Sequence, residues 1–192
     1  REKLTSEEKK KILGKNNLPT NSKLLVYGGN LGKAQGIKDL IECLKTQINN
    51  PGITFLIVGK GTEYSKLETF ISHSGAKNII LKDYMPAEEY NRLVSACDVG
   101  MLFLDHRFTI PNFPSRLLSY LGKGIPVLTC TDPNTDVGEI AEKSGFGWKC
   151  LSGSPEEFAE KINEIQQCTC LAEMGQKGYE YLRDNYDVRI AY

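Results

Sequence analysis

"PSRLLSYLGKGIPVLTC", residues Pro114 to Cys130, holds a helix, a stop and a strand in one short run. Apolar residues recur at helical spacing from Ser115 to about Lys123, and Gly124 ends the pattern as a helix-terminating glycine does. Ile125–Thr131 then forms a nearly unbroken apolar strand. A strand covered on one face alternates polar and apolar residues, whereas one buried on both faces does not. A helix leading straight into such a strand is one half of a strand–helix–strand unit.

The same unit recurs in both directions along the chain. Upstream, the spacing predicts strands at Lys23–Gly29, Ile53–Gly59, Asn78–Tyr84 and Asp98–Leu104. Helices are expected between them at Ile37–Ile48, Glu63–Ser74 and Ala87–Ala96, the last opened by Pro86. Downstream come a helix at Thr135–Gly145, a short strand at Phe146–Cys150, and helices at Pro155–Gln167 and Leu171–Asn185. Strands separated by helices imply crossovers and a parallel sheet. The expected fold is therefore α/β: a Rossmann-like, doubly wound sheet of about six parallel strands with helices on both faces. Its ligand crevice would lie at the carboxyl ends of the strands.

The chain has 192 residues, enough for one domain with a sizeable core. Its 24 basic and 24 acidic residues cancel, which argues against a nucleic-acid binder. No apolar run approaches the ~18 residues that span a bilayer, and no signal-peptide pattern is present. The domain is expected over residues 22–192. The charged opening, "REKLTSEEKKKILGKNN", reads as a leading helical or linker segment over residues 1–21, of the kind that begins in the middle of a longer protein. Cys43, Cys97, Cys130 and Cys150 lie in apolar stretches, where a free cysteine behaves as a small hydrophobe. Cys168-Thr169-Cys170 is too tightly spaced for a CxxC pair and has no histidine nearby, so no zinc or redox role is expected of it. Reduced thiols and a cytoplasmic setting follow.

The informative loops follow the strands. "YGGNLGKAQG" (Tyr27–Gly36) has Gly28, Gly29 and Gly32 where backbone can approach a ligand, and Gly36 opens the next helix. It matches neither GxGxxG nor a P-loop, and a flexible turn is the plainer reading. "VGKGTE" (Val58–Glu63) sets Lys60 between Gly59 and Gly61, as a tight turn with a solvated lysine or as a ligand loop. Tyr84 and Met85 are either a base-lining pair or packing at the core's edge. "FLDHRFTIPNFPSR" (Phe103–Arg116) is a long connection at the ligand end. There Pro114 pre-sets the backbone, Ser115 reads as an N-cap, and the amides of Ser115, Arg116 and Leu117 are expected to be free. A cation such as Arg116 is disfavoured at a helix N-terminus unless an anion is expected there. Asp105 and His106 are candidate acid/base groups, although a loop histidine is more often structural, and His73 falls on a helix surface.

Read in order, "YGGNLG", "FLIVGKG", "ILKDYMPAEEYNRLVSACDVGMLFL" and "PSRLLSYLGKGIPVLTC" resemble the C-terminal half of retaining GT-B glycosyltransferases. The likeness is greatest to family-4 enzymes of bacterial surface-polysaccharide assembly and runs from about Leu24 to Tyr186. The closing "YLRDNYDV" resembles the segment that crosses back to the N-terminal half. The resemblance implies a donor site for a UDP- or GDP-sugar and transfer with retention, with no obligatory metal or other cofactor. The loop Gly29, Asn30, Gly32, Lys33, Gln35 would approach the diphosphate, the turn Gly59, Lys60 would belong to the same donor site, and Tyr84 and Met85 would flank the base. Pro114, Ser115, Arg116 and Leu117 would form the phosphate end, and Ser119 would belong to the same donor site, where one of two family glutamates meets the sugar or the ribose. Arg116 and Lys33 are the catalytic candidates, as stabilisers of the leaving diphosphate.

The sequence departs from the family at four places. An arginine and a lysine are frequent where Asn30 and Gln35 stand, and two glutamates are frequent where Pro111 and Ser119 stand. A subgroup with a basic residue after Pro-Ser shifts phosphate binding to that residue, here Arg116. The resemblance further implies an acceptor glycan or lipid-linked sugar, bound by a missing N-terminal half, and peripheral contact with the inner face of the plasma membrane. A non-catalytic nucleotide-binding domain and half of a sugar-nucleotide epimerase are the alternatives.

Overall fold

The computed structural model describes residues 3–107 and 114–186. Six strands form one parallel sheet: β1 (Lys23–Asn30), β2 (Ile53–Lys60), β3 (Ile79–Lys82), β4 (Val99–Phe103), β5 (Val127–Thr131) and β6 (Gly147–Leu151). Their order across the sheet is β3-β2-β1-β4-β5-β6. The order reverses between β1 and β4, paired at Leu25↔Val99 and Val26↔Gly100. The eight helices of the described residues are α1 (Ser6–Lys15), α2 (Ile37–Lys45), α3 (Tyr64–Ser74), α4 (Ala87–Val94), α5 (Ser115–Lys123), α6 (Val137–Lys143), α7 (Pro155–Gln167) and α8 (Leu171–Tyr186). The expected α/β doubly wound sheet is what the chain forms.

Strand alternation sorts the core into two layers. Leu25, Tyr27, Phe55, Ile57, Met101 and Phe103 face α2, α3 and α7. Leu24, Val26, Leu56, Val58, Leu102 and Val127 face α1, α4, α5 and α6. Successive side chains on a strand point to opposite faces, so β1, β2, β4 and β5 feed both layers, and each fully buried Leu or Phe contributes about 1.5–3 kcal/mol.

The boundaries that moved have local causes. The helix expected to reach Ile48 stops at Lys45, and Asn49 turns the chain at φ 58. The strand expected from Ile125 starts at Val127, because Pro126 has no N–H to give the ladder. The helix expected from Thr135 starts at Val137, because the Asp132 carboxylate accepts from the Asn134 and Thr135 amides and from the Thr135 hydroxyl. β1 continues past Gly29 to Asn30. In the leading segment, the Thr5–Glu8 capping box starts α1. Ile12 and Leu13 of α1 are buried in the core, and Lys9 pairs with Asp98 at 2.7 Å.

Candidate functional site

Where the strand order reverses, the loops leaving β1 and β4 diverge and open a crevice. A cavity of about 270 Å³ lies there, among Gln35, Leu102, Phe103, Leu104, Pro114, Ser115 and Arg116. A larger concavity of about 660 Å³ opens at the opposite ends of the strands, around Lys9, Asp98, Gly124 and Pro126. There Asp98 is already bound to Lys9 and to the Leu24 amide, so volume alone does not make it the better site.

The start of α5 differs from its expected form in two respects. Pro114, not Ser115, occupies the N-cap, at φ −67 and ψ 121, and no side chain caps the helix. The Pro114 carbonyl accepts from the Leu117 amide at 3.0 Å. The Leu117 amide is therefore not a free donor, and its side chain is fully buried. The amides of Ser115 and Arg116 have no partner among the described residues. These two donors, without partners among the described residues, and the helix dipole lie together at the crevice.

Arg116 reaches from α5 across the carboxyl end of β1. A Cβ on Gly29 would stand 2.6 Å from Arg116 Nε and 2.7 Å from Nη2, and Gly29 itself has φ 127. Position 29 thus needs glycine twice over, for its backbone and for the guanidinium lying on it. The guanidinium carbon sits 4.9 Å from the centre of the Tyr27 ring, a cation–π arrangement. Tyr27 Oη donates to Gln35 Oε1 at 3.2 Å, and Arg116 Nη1 and Nη2 lie 3.4 and 3.5 Å from that oxygen. Burial pushes the Tyr27 phenol up, against the opposing pull of Arg116, so it stays a neutral donor. Arg116 has no carboxylate partner among the described residues. Its charge is oriented by a ring and an amide oxygen.

The remaining predicted residues divide into three groups. Asn30 and Lys33 are exposed beside Gly29, with Lys33 opening a single 3₁₀ turn, Lys33–Gln35. Gly32 lies between them, next to the Asn30 side chain. Gln35 faces Arg116 rather than open solvent. On the β2 and β3 side, Lys60 Nζ stands 4.7 Å over the ring of Tyr84, which is 62% exposed. Met85, its neighbour, packs against the core, so the two do not form one surface. Gly59 is buried against the Gly29 carbonyl, and Ser119 is half-buried one turn along α5. Pro111 lies outside the described residues. Gly36, with φ 63, packs on the Asp105 backbone and ties the two loops together.

Asp105, His106 and Arg107 leave the end of β4 as a bonded cluster. Arg107 Nε and Nη2 donate to the Asp105 carboxylate at 2.9 and 2.7 Å, and this holds the carboxyl down to about 2. His106 Nδ1 meets Asp39 Oδ2, on the first turn of α2, at 2.5 Å. Asp39, Asp105 and His106 bring one ligand atom each within 4.8 Å of one another. Every one of those groups is already bonded to a neighbour, so a cation would have to displace Arg107 and part His106 from Asp39. His73 is exposed on α3, with Nδ1 2.8 Å from the Thr69 carbonyl.

Sequence reasoning missed Tyr27 and Asp39. Tyr27 had a signal, an aromatic two places before Gly29 and so on the same side of the strand. Asp39 had none, because its partner lies 67 positions away.

The model of Glycosyl transferases group 1 matches residues 8–181. The chain is 26% identical over 173 residues to the putative colanic acid biosynthesis glycosyl transferase WcaI of Escherichia coli K12, covering 88% of this chain and 41% of that protein. It is 23% identical over 165 residues to the probable glycosyltransferase WbjE of Pseudomonas aeruginosa, covering 86% of this chain and 41% of that one. The chain thus spans about 41% of the length of these relatives. Among solved structures, Anabaena Alr3699/HepE in complex with UDP superposes with a TM-score of 0.79 at 20% identity, over 98% of this chain and 51% of that one. The C-terminal domain of the group 1 glycosyl transferase LpcC of Francisella tularensis superposes with a TM-score of 0.72 at 18% identity, over 95% of both chains. At such identities the structural likeness speaks for the fold, a Rossmann-like sheet matching GT-B structures. With the family model matching nearly the whole chain, this protein belongs to the glycosyl transferases group 1 family.

Proposed function

We propose that this chain is the donor-binding half of a retaining, family-4 hexosyltransferase of the kind that assembles bacterial surface polysaccharide. The observation that carries the reading is the Arg116 guanidinium, which lies over Gly29 with no carboxylate partner among the described residues, beside the Ser115 and Arg116 amides, which have no partner among those residues. A nucleotide diphosphate is the ligand whose charge and size suit that seat. Bidentate contact from Arg116 and two amides would hold one phosphate, with Lys33 near the other. Tyr84, propped by Lys60, would meet the base. The UDP and UDP-glucose complexes of the Anabaena protein favour a uridine donor, with a GDP-sugar second.

In the transfer, the bond from the anomeric carbon to the diphosphate oxygen breaks, and negative charge grows on the departing phosphate. Donors fixed in advance at that oxygen lower the barrier without reorganising. Arg116 does so as a cation and the α5 amides as dipoles, which removes the need for an obligatory metal. The acceptor, a glycan or lipid-linked sugar, would be held by an N-terminal half. This chain alone would therefore bind donor and turn nothing over. The setting is the cytoplasm, at the inner face of the plasma membrane. No helix among the described residues is long and apolar enough to cross a membrane.

One observation favours a second reading, a domain that binds nucleotide without catalysis. Ser119 stands where the family often has a glutamate. Calorimetric titration with UDP, GDP and ADP tests the donor site, with Arg116→Ala as the variant. One diphosphate should bind best, and the variant should lose about 1.5–3 kcal/mol, roughly ten- to hundredfold in Kd. Failure of all three to bind would sink the donor-site reading. Donor binding without transfer by the full-length protein, given its acceptor, would favour the second.

A further inference from the structure

Far from the crevice, α7 and α8 are joined by three residues, Cys168-Thr169-Cys170, and both ends of that joint are cysteines. Cys168 is the C-cap of α7, and the Cys170 carbonyl accepts the Met174 amide at the start of α8. The two Sγ atoms are 3.1 Å apart, inside van der Waals contact for sulfur, and the Cys170 amide donates to Cys168 Sγ at 3.4 Å. Cys170 is exposed and Cys168 half-exposed. The chain carries its own control. Cys130 and Cys150 face each other across β5 and β6 with Sγ atoms 3.0 Å apart, but both are buried. Two thiol pairs therefore share a separation and differ in access.

We propose that Cys168 and Cys170 form a reversible, oxidant-sensitive dithiol that closes into a disulfide across the α7–α8 joint, while Cys130 and Cys150 stay reduced. The sequence spacing that argues against a CxxC-type site does not bear on this, because the joint geometry brings the sulfurs together. The oxidant is a peroxide. One sulfur, as thiolate, attacks the O–O bond, takes one oxygen and releases hydroxide. The second sulfur attacks the resulting sulfenic acid, so that the S–S bond forms, the S–O bond breaks and water leaves. Overall, two thiols and one peroxide give one disulfide and two waters. The hydrogen bond with Cys168 pushes the Cys170 thiol up, so closure should quicken as pH rises above neutral.

The joint sits where the C-terminal helices change layers. Leu171 and Met174, at the start of α8, pack with the α2–α7 layer, and Tyr181 and Leu182, near its end, with the α5 layer. Lys23 Nζ also binds the Cys168 carbonyl at 2.6 Å. A closed disulfide would fix the angle at which α8 leaves that anchor.

The test is mild hydrogen peroxide treatment of the native chain, blocking with iodoacetamide, and peptide mapping. The expected product is one intramolecular disulfide in the Cys168–Cys170 peptide. It should be undone by dithiothreitol and absent in Cys170→Ser. Cys130 and Cys150 should be alkylated only after denaturation. A glutathione redox series should populate both states of the pair. The proposal is overturned if oxidation links two chains, stops at sulfinic acid on Cys170, or reaches Cys130–Cys150 first. It is equally overturned if a thiophilic cation such as Zn²⁺ co-purifies with the pair and blocks closure. Because Cys170 is exposed and makes no core contact, the serine variant should fold, and unchanged far-UV circular dichroism would confirm it.

Discussion

At the amino ends of the strands, polar groups are consumed by the protein itself. Lys23 donates to the carbonyls of Ile165, Gln166 and Cys168 at 2.8, 2.7 and 2.6 Å, and Asp98 accepts from Lys9 and from the Leu24 amide. At the carboxyl ends, Arg116 lacks a carboxylate partner and two α5 amides lack any partner among the described residues. The first end has the larger hollow and the second has the unmet donors. Hydrogen-bond demand, more than volume, separates a structural end from a binding end. A donor without a protein partner on an open crevice is answered by water until a ligand takes that place, whereas a satisfied ammonium at a helix C-terminus stabilises outright.

The largest effect should come from breaking the satisfied end. Lys23→Met removes three charge-assisted bonds and leaves the last carbonyls of α7 to water. Urea denaturation should show a loss of about 2–4 kcal/mol, since bonds to a charged group are worth ~1.5–3 kcal/mol each before water recovers part of them. Diphosphate affinity should stay within about twofold, because Lys23 is at the far end of β1. A large affinity loss in a folded Lys23→Met chain would mean that the two ends are coupled and the contrast is false.

The legibility of the sequence follows the same divide. Fold class was readable because the inner strands are buried on both faces along most of their length and so read as apolar runs, as in "ITFLIVG" and "IPVLTCT". Helix α7 was readable to the residue, since Ser154 caps it and Pro155 opens it. Boundaries slipped where a tertiary partner decided them, as Asp132 did for α6. In the crevice, the α5 start and the glycine loop were legible as loops after strands. Their contact was not, because Arg116 meets Gln35 across 81 positions and nothing local to either announces it. The split between Tyr84 and Met85 was equally hidden, since adjacent residues in a loop carry no periodicity to say which turns inward.

A smaller effect is expected at the seat itself. Gly29→Ala puts a methyl where the Arg116 guanidinium lies and asks an L-residue to hold φ 127. The strained backbone should cost about 1–3 kcal/mol in unfolding free energy. Diphosphate affinity should fall by as much as in Arg116→Ala but no further, because the guanidinium is pushed off its Tyr27 platform. The double variant sharpens this. If Gly29 acts through Arg116, Gly29→Ala should weaken binding no further once Arg116 is alanine. Additive losses would mean that the Gly29 backbone touches the ligand independently.

The smallest effect belongs to Asp105 and Arg107, which border the crevice but are satisfied like the far end. Arg107 holds the Asp105 carboxyl near 2, below its ordinary value of 3.8. A depressed carboxyl contributes stability that is present above the unfolded-state value and lost as pH falls through the folded one. The contribution should therefore be full at neutral pH, begin to fade near pH 4, and be gone by about pH 2. Arg107 is 77% exposed on its side chain, so water screens the pair and the net worth is under about 1 kcal/mol. Arg107→Ala should lower stability by that small amount at pH 7 and by nothing at pH 2, with the Asp105 titration measured by NMR moving up toward its ordinary value. Diphosphate affinity should hardly change, since Asp105 turns toward Arg107 and not toward Arg116. If the variant instead changed binding severalfold, Asp105 or Arg107 would have to reach the ligand, and the boundary between satisfied and unmet groups would run through Asp105 rather than past it.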